Sequence, residues 1–451
     1  MGRKPWEPGG DDRSRGSDWM MDRAVETASP VDARARAGLA WDRQRAGLLE
    51  RSGFLRRRFA DAGIDLGAIA LDDVDRLPLC SKIDLRDSQQ QHPPFGDHLG
   101  VPVGDVKLVY QTSGTTGRPS LIALTRADAE LWWTIGARSY RTTGMYPRDS
   151  VLVAMGAGPF VAGHTHGSVD RIGARRVPVA PGDTGRVLDA ATAGLFDTIV
   201  CTPSFALHLA DRSARDGIDA ARLGIRHFVT GGEPGGGIDS TRERIESSFG
   251  CDVTEVMGIG DIAPSLYGEC EAKAGMHFCG QGFVWPELID PTTAQPLAIE
   301  SGVVGEVVYT TLQREAMPLV RFRSGDILEI MGTSCACGRT SFRARCLART
   351  DDMFIVRGVN VYPSAIVAVV GEFHPHVTGR ARVVLPVGAV AVDPPVVVEV
   401  ETAGSPSDSS GLAARVEDAI RHRLTFRARV DLLAPAEFGD AGYKTSLVAR
   451  R

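Results

Sequence analysis

The chain has 451 residues, 43% of them hydrophobic and 24% charged, with a formal net charge of -5. That length exceeds what one hydrophobic core usually serves and predicts two or more domains, the larger an α/β unit. The acidic balance offers no basic stripe for a phosphate backbone and so argues against a nucleic-acid partner; no apolar run reaches the roughly 20 residues of a membrane span.

Residues 1–30 are rich in Gly, Asp, Arg and Ser without the apolar segment of a secretory signal. They read as a disordered, solvated tail, and the chain as cytoplasmic. From Ala35 to Asp61 the residues Leu39, Trp41, Leu48, Leu49, Phe54 and Leu55 recur at broadly helical spacing, which predicts an entry helix or two. Two short apolar strands, Lys107–Gln111 and Leu121–Leu124, flank a glycine-rich loop. The β-branched runs Val151–Ala154, Arg176–Val179, Thr198–Cys201 and His227–Thr230 alternate with segments long enough for helices, such as Ser204–Asp216. This alternation predicts a largely parallel sheet covered by helices.

After about Met276 the texture changes to turn-punctuated strands, at Glu287–Ile289, Gly305–Tyr309 and Leu319–Phe322, and a β-rich subdomain is expected. A boundary falls near Arg349–Asp352. Beyond it a small α+β lid is expected, with strands at Met353–Val356, near Val383 and at Val396–Val400, an apolar stretch Ala365–Val370 and a helix Gly411–Leu424. The expected organisation is a tail over 1–30, a large α/β domain over 31–348 with parallel-rich sheets, and a mobile C-terminal lid over 349–451.

The loop Thr112–Pro119 reads Thr-Ser-Gly-Thr-Thr-Gly-Arg-Pro. Its glycines let backbone N–H groups approach an anion, its hydroxyls donate to phosphate oxygens, and Arg118 adds a cation. It lacks the Gly-Lys-Ser/Thr of a Walker loop, and its composition also suits a solvated turn. Eight cysteines spread through the chain argue for reduced thiols or metal ligands. Cys270, His277, Cys335 and Cys337 offer three thiolates and one imidazole, the ligand set of a closed tetrahedral zinc site, with Cys279 as a substitute; buried structural thiols are the alternative.

The string Ser113-Gly114-Thr115-Thr116-Gly117-Arg118-Pro119 resembles the phosphate loop of the adenylate-forming superfamily of acyl-CoA synthetases and adenylation domains, with Arg where Lys is usual. Three further segments follow in that superfamily's order: Phe228–Pro234, Glu255–Asp261 and Ala316–Asp326. The run Arg349–Pro363 is similar to the phenylacetate-coenzyme A ligase branch in particular, and the resemblance covers about residue 40 to the C-terminus.

The resemblance implies a nucleotide site of Ser113 to Arg118, Gly232, Glu233 and Pro234 along the adenine, Met257 and Gly258 where an aromatic-Gly pair is usual, Asp261 as a Mg²⁺ ligand, Asp326 on the ribose hydroxyls, and Arg349 on the nucleotide. It makes Asp351 the pivot of the lid and sets Gly358 towards a pantetheine tunnel. The acid would lie near Phe160, Val161, Ala162, Gly163 and Phe205, with His164 and His166 available to a polar substituent; some branch members are similar at the Cys/His segments too.

One position departs from the pattern. The lysine expected after a glycine near the C-terminus is Tyr443 in Gly442-Tyr-Lys-Thr445, so either a shifted backbone brings Lys444 into play or that lysine is absent. The reaction implied is activation of an aryl or other compact carboxylic acid by ATP as acyl-AMP, then transfer to coenzyme A. Transfer to an amine, a hydroxyl or a carrier-protein thiol, and a noncatalytic nucleotide-binding homologue, stay open. Expected cofactors are ATP, Mg²⁺, coenzyme A and a structural Zn²⁺; expected partners are small molecules, with a homodimer left open.

Overall fold

A computed structural model describes residues 20–112, 120–155, 161–179, 183–350, 352–357, 359–389, 391–404, 411–438 and 447–451. Within it five short strands, Arg175–Val177, Ser150–Val153, Thr198–Cys201, His227–Gly231 and Asp252–Ile259, lie side by side in that order and parallel. Their β-branched residues alternate between two faces, as strand geometry requires. Leu152, Ile199, Cys201, Phe228 and Val253 enter one core with the helices Thr184–Thr192, Pro203–Arg215 and Asp239–Phe249. Val151, Val153, Val200, Val229 and Val256 enter another, with the helices Arg126–Thr142 and Thr165–Ile172.

The β-rich stretch after Met276 does not form a sheet of its own. Its strands Met276–Phe278, Val284–Ile289, Val304–Thr311, Phe322–Gly332 and Arg343–Arg349 pair antiparallel and join the parallel half through Ala263–Glu269, making one mixed twelve-stranded sheet. The strand expected over Leu319–Phe322 begins only at Phe322. Arg321, at φ 47°, turns the chain there and donates to Glu287 and to the carbonyls of Asp75 and Leu77, so 319–321 serve packing rather than a ladder.

The entry region forms three helices, Pro30–Arg45, Leu48–Arg51 and Gly53–Asp61, the first with Ser29 as N-cap and Pro30 at its start. Part of the expected tail, residues 20–30, is described structure. The short helix Arg23–Glu26 buries Glu26 in an ion pair with Arg339 at 2.8 Å, a long-range contact that composition alone does not signal.

A second, four-stranded sheet, ordered Ala428–Leu433, Val396–Thr402, Val377–Leu385 and Val448–Arg450, packs with the helices Pro363–Gly371 and Leu412–Leu424 around a core of its own. It meets the large sheet's region through Ser364, which donates to the Leu347 carbonyl, and Arg244, which donates to that of Thr378. Among the described residues no helix is long and apolar enough to cross a membrane.

Candidate active site

The strands Leu108–Gln111 and Leu121–Leu124 pair antiparallel as a hairpin. Its base is closed by the Thr112 N–H donating to the Ser120 carbonyl at 3.1 Å and by their hydroxyls, also 3.1 Å apart. Thr112 lies against Gly260: a Cβ on that glycine would stand 3.4 Å from Thr112 Cγ2 and 3.5 Å from Val161 Cγ2. Gly258 marks a closer approach, since a Cβ there would stand 2.0 Å from the Pro264 backbone, where the ladder to Ala263–Glu269 shifts register. Two backbones meet at a spacing only glycine permits.

Asp261 follows that turn and is buried. Both its carboxylate oxygens accept from Lys82 Nζ at 2.6 Å, and its carbonyl accepts from Arg314 at 2.6 Å. Lys82 opens the helix Lys82–Gln91, whose start is fixed by a Ser81–Asp84 capping box. Burial pulls the Lys82 ammonium below its ordinary pKa against the opposing pull of Asp261. Lys82, which sequence reasoning missed, lies 179 residues from its partner.

Asp326 and Arg349 are directly opposite each other on adjacent antiparallel strands, with Arg349 Nη1 3.1 Å from Asp326 Oδ1. Gly325, at φ +77°, allows the turn of backbone that precedes Asp326, and its carbonyl accepts from the Thr350 N–H at 2.6 Å. The strand pairing therefore puts an acid and a cation together at one sheet end.

Behind the loop carrying Gly232, Glu233 and Pro234 lies a second charged set. Glu233 accepts from the Ser204 N–H at 2.9 Å, at the start of the helix Pro203–Arg215. Arg242 donates through Nε to the Gly236 carbonyl at 3.0 Å and through Nη2 to Glu269 at 2.6 Å, and Glu269 also accepts the Glu255 N–H at 3.1 Å. Burial and then the Glu269 charge push the Glu255 carboxyl up to about 7.

The ligand atoms of Cys270, His277, Cys335 and Cys337 all lie within 4.8 Å of one another. Cys270 Sγ is 3.6 Å from Cys335 Sγ, and Cys337 Sγ is 3.3 Å from His277 Nε2. Ligands at Zn–S of about 2.3 Å in a tetrahedron stand about 3.8 Å apart, so the set is close to the size of a zinc cage. His277 Nδ1 faces the Ser341 carbonyl at 3.3 Å, which turns Nε2 inward. Cys279 is not a member: its thiol points to the His277 carbonyl and to Thr142.

No family model matches the chain. A phenylacetate-coenzyme A ligase of Thermus thermophilus is 36% identical over 365 residues, 79% of this chain and 80% of that protein. The chain belongs to the phenylacetate-coenzyme A ligase family. It is an adenylate-forming acid ligase of the acid-CoA type. The crystal structure of a 2-hydroxyisobutyryl-CoA ligase in the postadenylation state, in complex with R3-HIB-AMP, matches with a TM-score of 0.86 at 26% identity, covering 100% of this chain and 95% of that one. The same ligase with 2-HIB-AMP and CoA in its thioesterification state matches with a TM-score of 0.70 at the same identity and coverage.

Set against the phenylacetate-ligase pattern, the structure brings Asp326 to Arg349 and brings Gly260, the residue before Asp261, against Thr112, where the loop begins. Met257 packs partly buried against the main core, on the strand that leads to Asp261. Val161, Ala162, Gly163 and His164 form a single 3₁₀ turn. Phe205, in the first turn of the helix Pro203–Arg215, is half-buried against the core that holds Leu152, Ile199 and Phe228. Ser113, Gly114, Thr115, Thr116, Gly117, Arg118, Phe160, Asp351, Gly358 and Lys444, which the resemblance places in the site, lie outside the described residues. Besides Lys82, sequence reasoning missed Arg242, Glu269 and Arg314, single charged residues whose partners lie far along the chain.

Proposed function

We propose that this ligase takes an aryl or similarly compact carboxylic acid as its substrate and coenzyme A as its acceptor. The observation that carries the proposal is the pairing of Asp326 with Arg349 across two strands, an acid and a cation held as a unit at the sheet end. Asp326 then accepts from the ribose hydroxyls, while Arg349 balances its charge and reaches the phosphates. The 113–118 loop wraps the β- and γ-phosphates with backbone N–H groups and hydroxyls. Gly232, Glu233 and Pro234 run along the adenine, over the support given by Arg242, Glu255 and Glu269.

Charge gathers on the phosphoryl oxygens as the acid's carboxylate attacks the α-phosphorus and pyrophosphate leaves. Lys82 and Lys444 are the cations assigned to that charge, Lys82 from the Asp261 side and Lys444 from the C-terminal segment. Asp261, whose two oxygens now accept from Lys82, is the carboxylate that would hold a Mg²⁺ ion, which would supply neutralising charge at the phosphates. No protein nucleophile is needed, since acyl-AMP is itself activated towards a thiolate.

The division at residues 348 and 349, with Asp351 as pivot, gives the chain two poses, one for each half-reaction. The better match to a postadenylation form than to a thioesterification form supports a first-half-reaction pose here. The Cys270, His277, Cys335 and Cys337 set is assigned to a structural zinc, because four protein ligands leave no open position for chemistry. Reduced thiols of this kind suit a cytoplasmic setting.

Acid-dependent exchange of labelled pyrophosphate into ATP across aryl and aliphatic acids, with and without coenzyme A, tests the proposal. Exchange with aryl acids and thioester formed on adding coenzyme A is the expected result. Exchange confined to long aliphatic acids, or AMP release that requires an amine in place of coenzyme A, would sink it.

A further inference from the structure

Three buried polar atoms around one indole ring have no hydrogen-bond partner among the described residues: Trp132 Nε1, His164 Nε2 and Arg314 Nε. Their side chains are 1%, 1% and 2% exposed. Native interiors hold few such groups, because each forfeits roughly 1–3 kcal/mol of hydration. Here they share one place. The His164 ring meets Trp132 edge-on with centroids 6.4 Å apart, and the Arg314 guanidinium stands 4.9 Å over the same indole.

The neighbouring hydroxyls are satisfied, which sets the three apart. Tyr140 Oη lies 3.0 Å from Thr165 Oγ1 and accepts from Ser265 at 2.9 Å. His164 Nδ1 donates to the Val161 carbonyl at 2.9 Å, so Nε2 of the neutral ring is an acceptor. Burial, which pulls this imidazole down to about 4, keeps it neutral at physiological pH. Trp132 Nε1 is a donor. The pair thus presents one acceptor and one donor, on rings whose centroids are 6.4 Å apart.

The cluster also adjoins the chemistry. Val161, whose carbonyl orients His164, lies with Thr112 around Gly260, next to Asp261 and the start of the 113–119 loop. We propose that the Trp132–His164 pair forms the distal end of the acyl pocket and selects a carboxylic acid bearing a hydroxyl, which donates to His164 Nε2 and accepts from Trp132 Nε1. This rests on the reading of the Val161–His164 turn as the acid-binding wall. A methyl group in the hydroxyl's place leaves both buried groups unpaired, the situation in which polar sites discriminate most strongly.

The test compares pyrophosphate exchange for a ring-hydroxylated aryl acid and its methyl isostere, using the full chain and the variants His164→Leu and Trp132→Phe. The expected result is a preference of at least about tenfold in kcat/KM for the hydroxylated acid, falling towards unity in either variant. Two variants are used so that misfolding of one does not leave the question open. Equal rates for the two acids in the native chain, or a preference that survives both substitutions, would overturn the inference and assign the cluster to a buried water. Robust exchange with unsubstituted acids alone overturns it while leaving acid activation intact; no exchange with any acid removes both.

Discussion

At the residue scale the site is a set of charges whose partners fix their roles. Asp326 is held by Arg349 at 3.1 Å and by the backbone turn at Gly325. Asp326→Ala is expected to raise the Kd for ATP by about tenfold or more, since two charge-assisted contacts to ribose go with it; ATP affinity unchanged by calorimetry would refute the ribose assignment. Glu255 gives a pH prediction with a definite sign. Its carboxyl is pushed up to about 7 by burial and by Glu269, so its ionisation disfavours the fold. The stability it contributes is complete below the ordinary glutamate range and is lost as pH rises through 7. Glu255→Gln should therefore gain on the native chain between about pH 4.5 and 7 and plateau above, by about 1–2 kcal/mol, a figure reduced because the side chain is not wholly out of water. Denaturant midpoints that differ by the same amount at pH 5 and pH 8 would count against it.

At the element scale, glycines and pairings decide which side chains meet. The strand Asp252–Ile259 pairs on one side with parallel His227–Gly231 and on the other with antiparallel Ala263–Glu269, so it is the seam of the sheet. Asp261 and Glu255 both come from this seam, where a change in strand direction opens room for a ligand. The Cys/His set depends on a second convergence, between the segment 270–277 and the turn 335–337, tied down further by the Glu26–Arg339 ion pair beneath it. Elemental analysis should give one zinc per native chain and none for Cys337→Ser, with a lowered Tm for the variant. Native protein free of zinc after metal-replete expression would leave these as buried thiols.

At the scale of the whole molecule the question is how two cores cooperate. The C-terminal core is built almost wholly from residues 354–448, with Ile238, which precedes the helix Asp239–Phe249, packed against it. An interface this local is compatible with rotation between two poses. Lys444→Ala is expected to reduce pyrophosphate exchange by about 100-fold or more, the scale of removing a preorganised charge at the reacting phosphate, while supplied acyl-AMP still yields thioester with coenzyme A. Exchange that survives the substitution would transfer the role to Lys82.

The sequence by itself determined the class of chemistry and the order of the elements. Periodicity and turn residues are local properties, and the phosphate-loop and Arg349–Pro363 strings are contiguous, so both can be read along the chain. It also anticipated that Cys270, His277, Cys335 and Cys337 converge, because thiolates and imidazole in such pairs point to a common ligand. The tertiary structure alone decided that Lys82 caps Asp261, that Arg242 and Glu269 support the loop after Gly232, and that Arg314 and His164 meet at Trp132. Each of these joins single residues far apart in the chain, and one lysine or histidine carries no local pattern to mark it. It also decided that the antiparallel strands extend the parallel sheet, since the pairing of distant strands is set by packing between layers and not by the residues of any one strand.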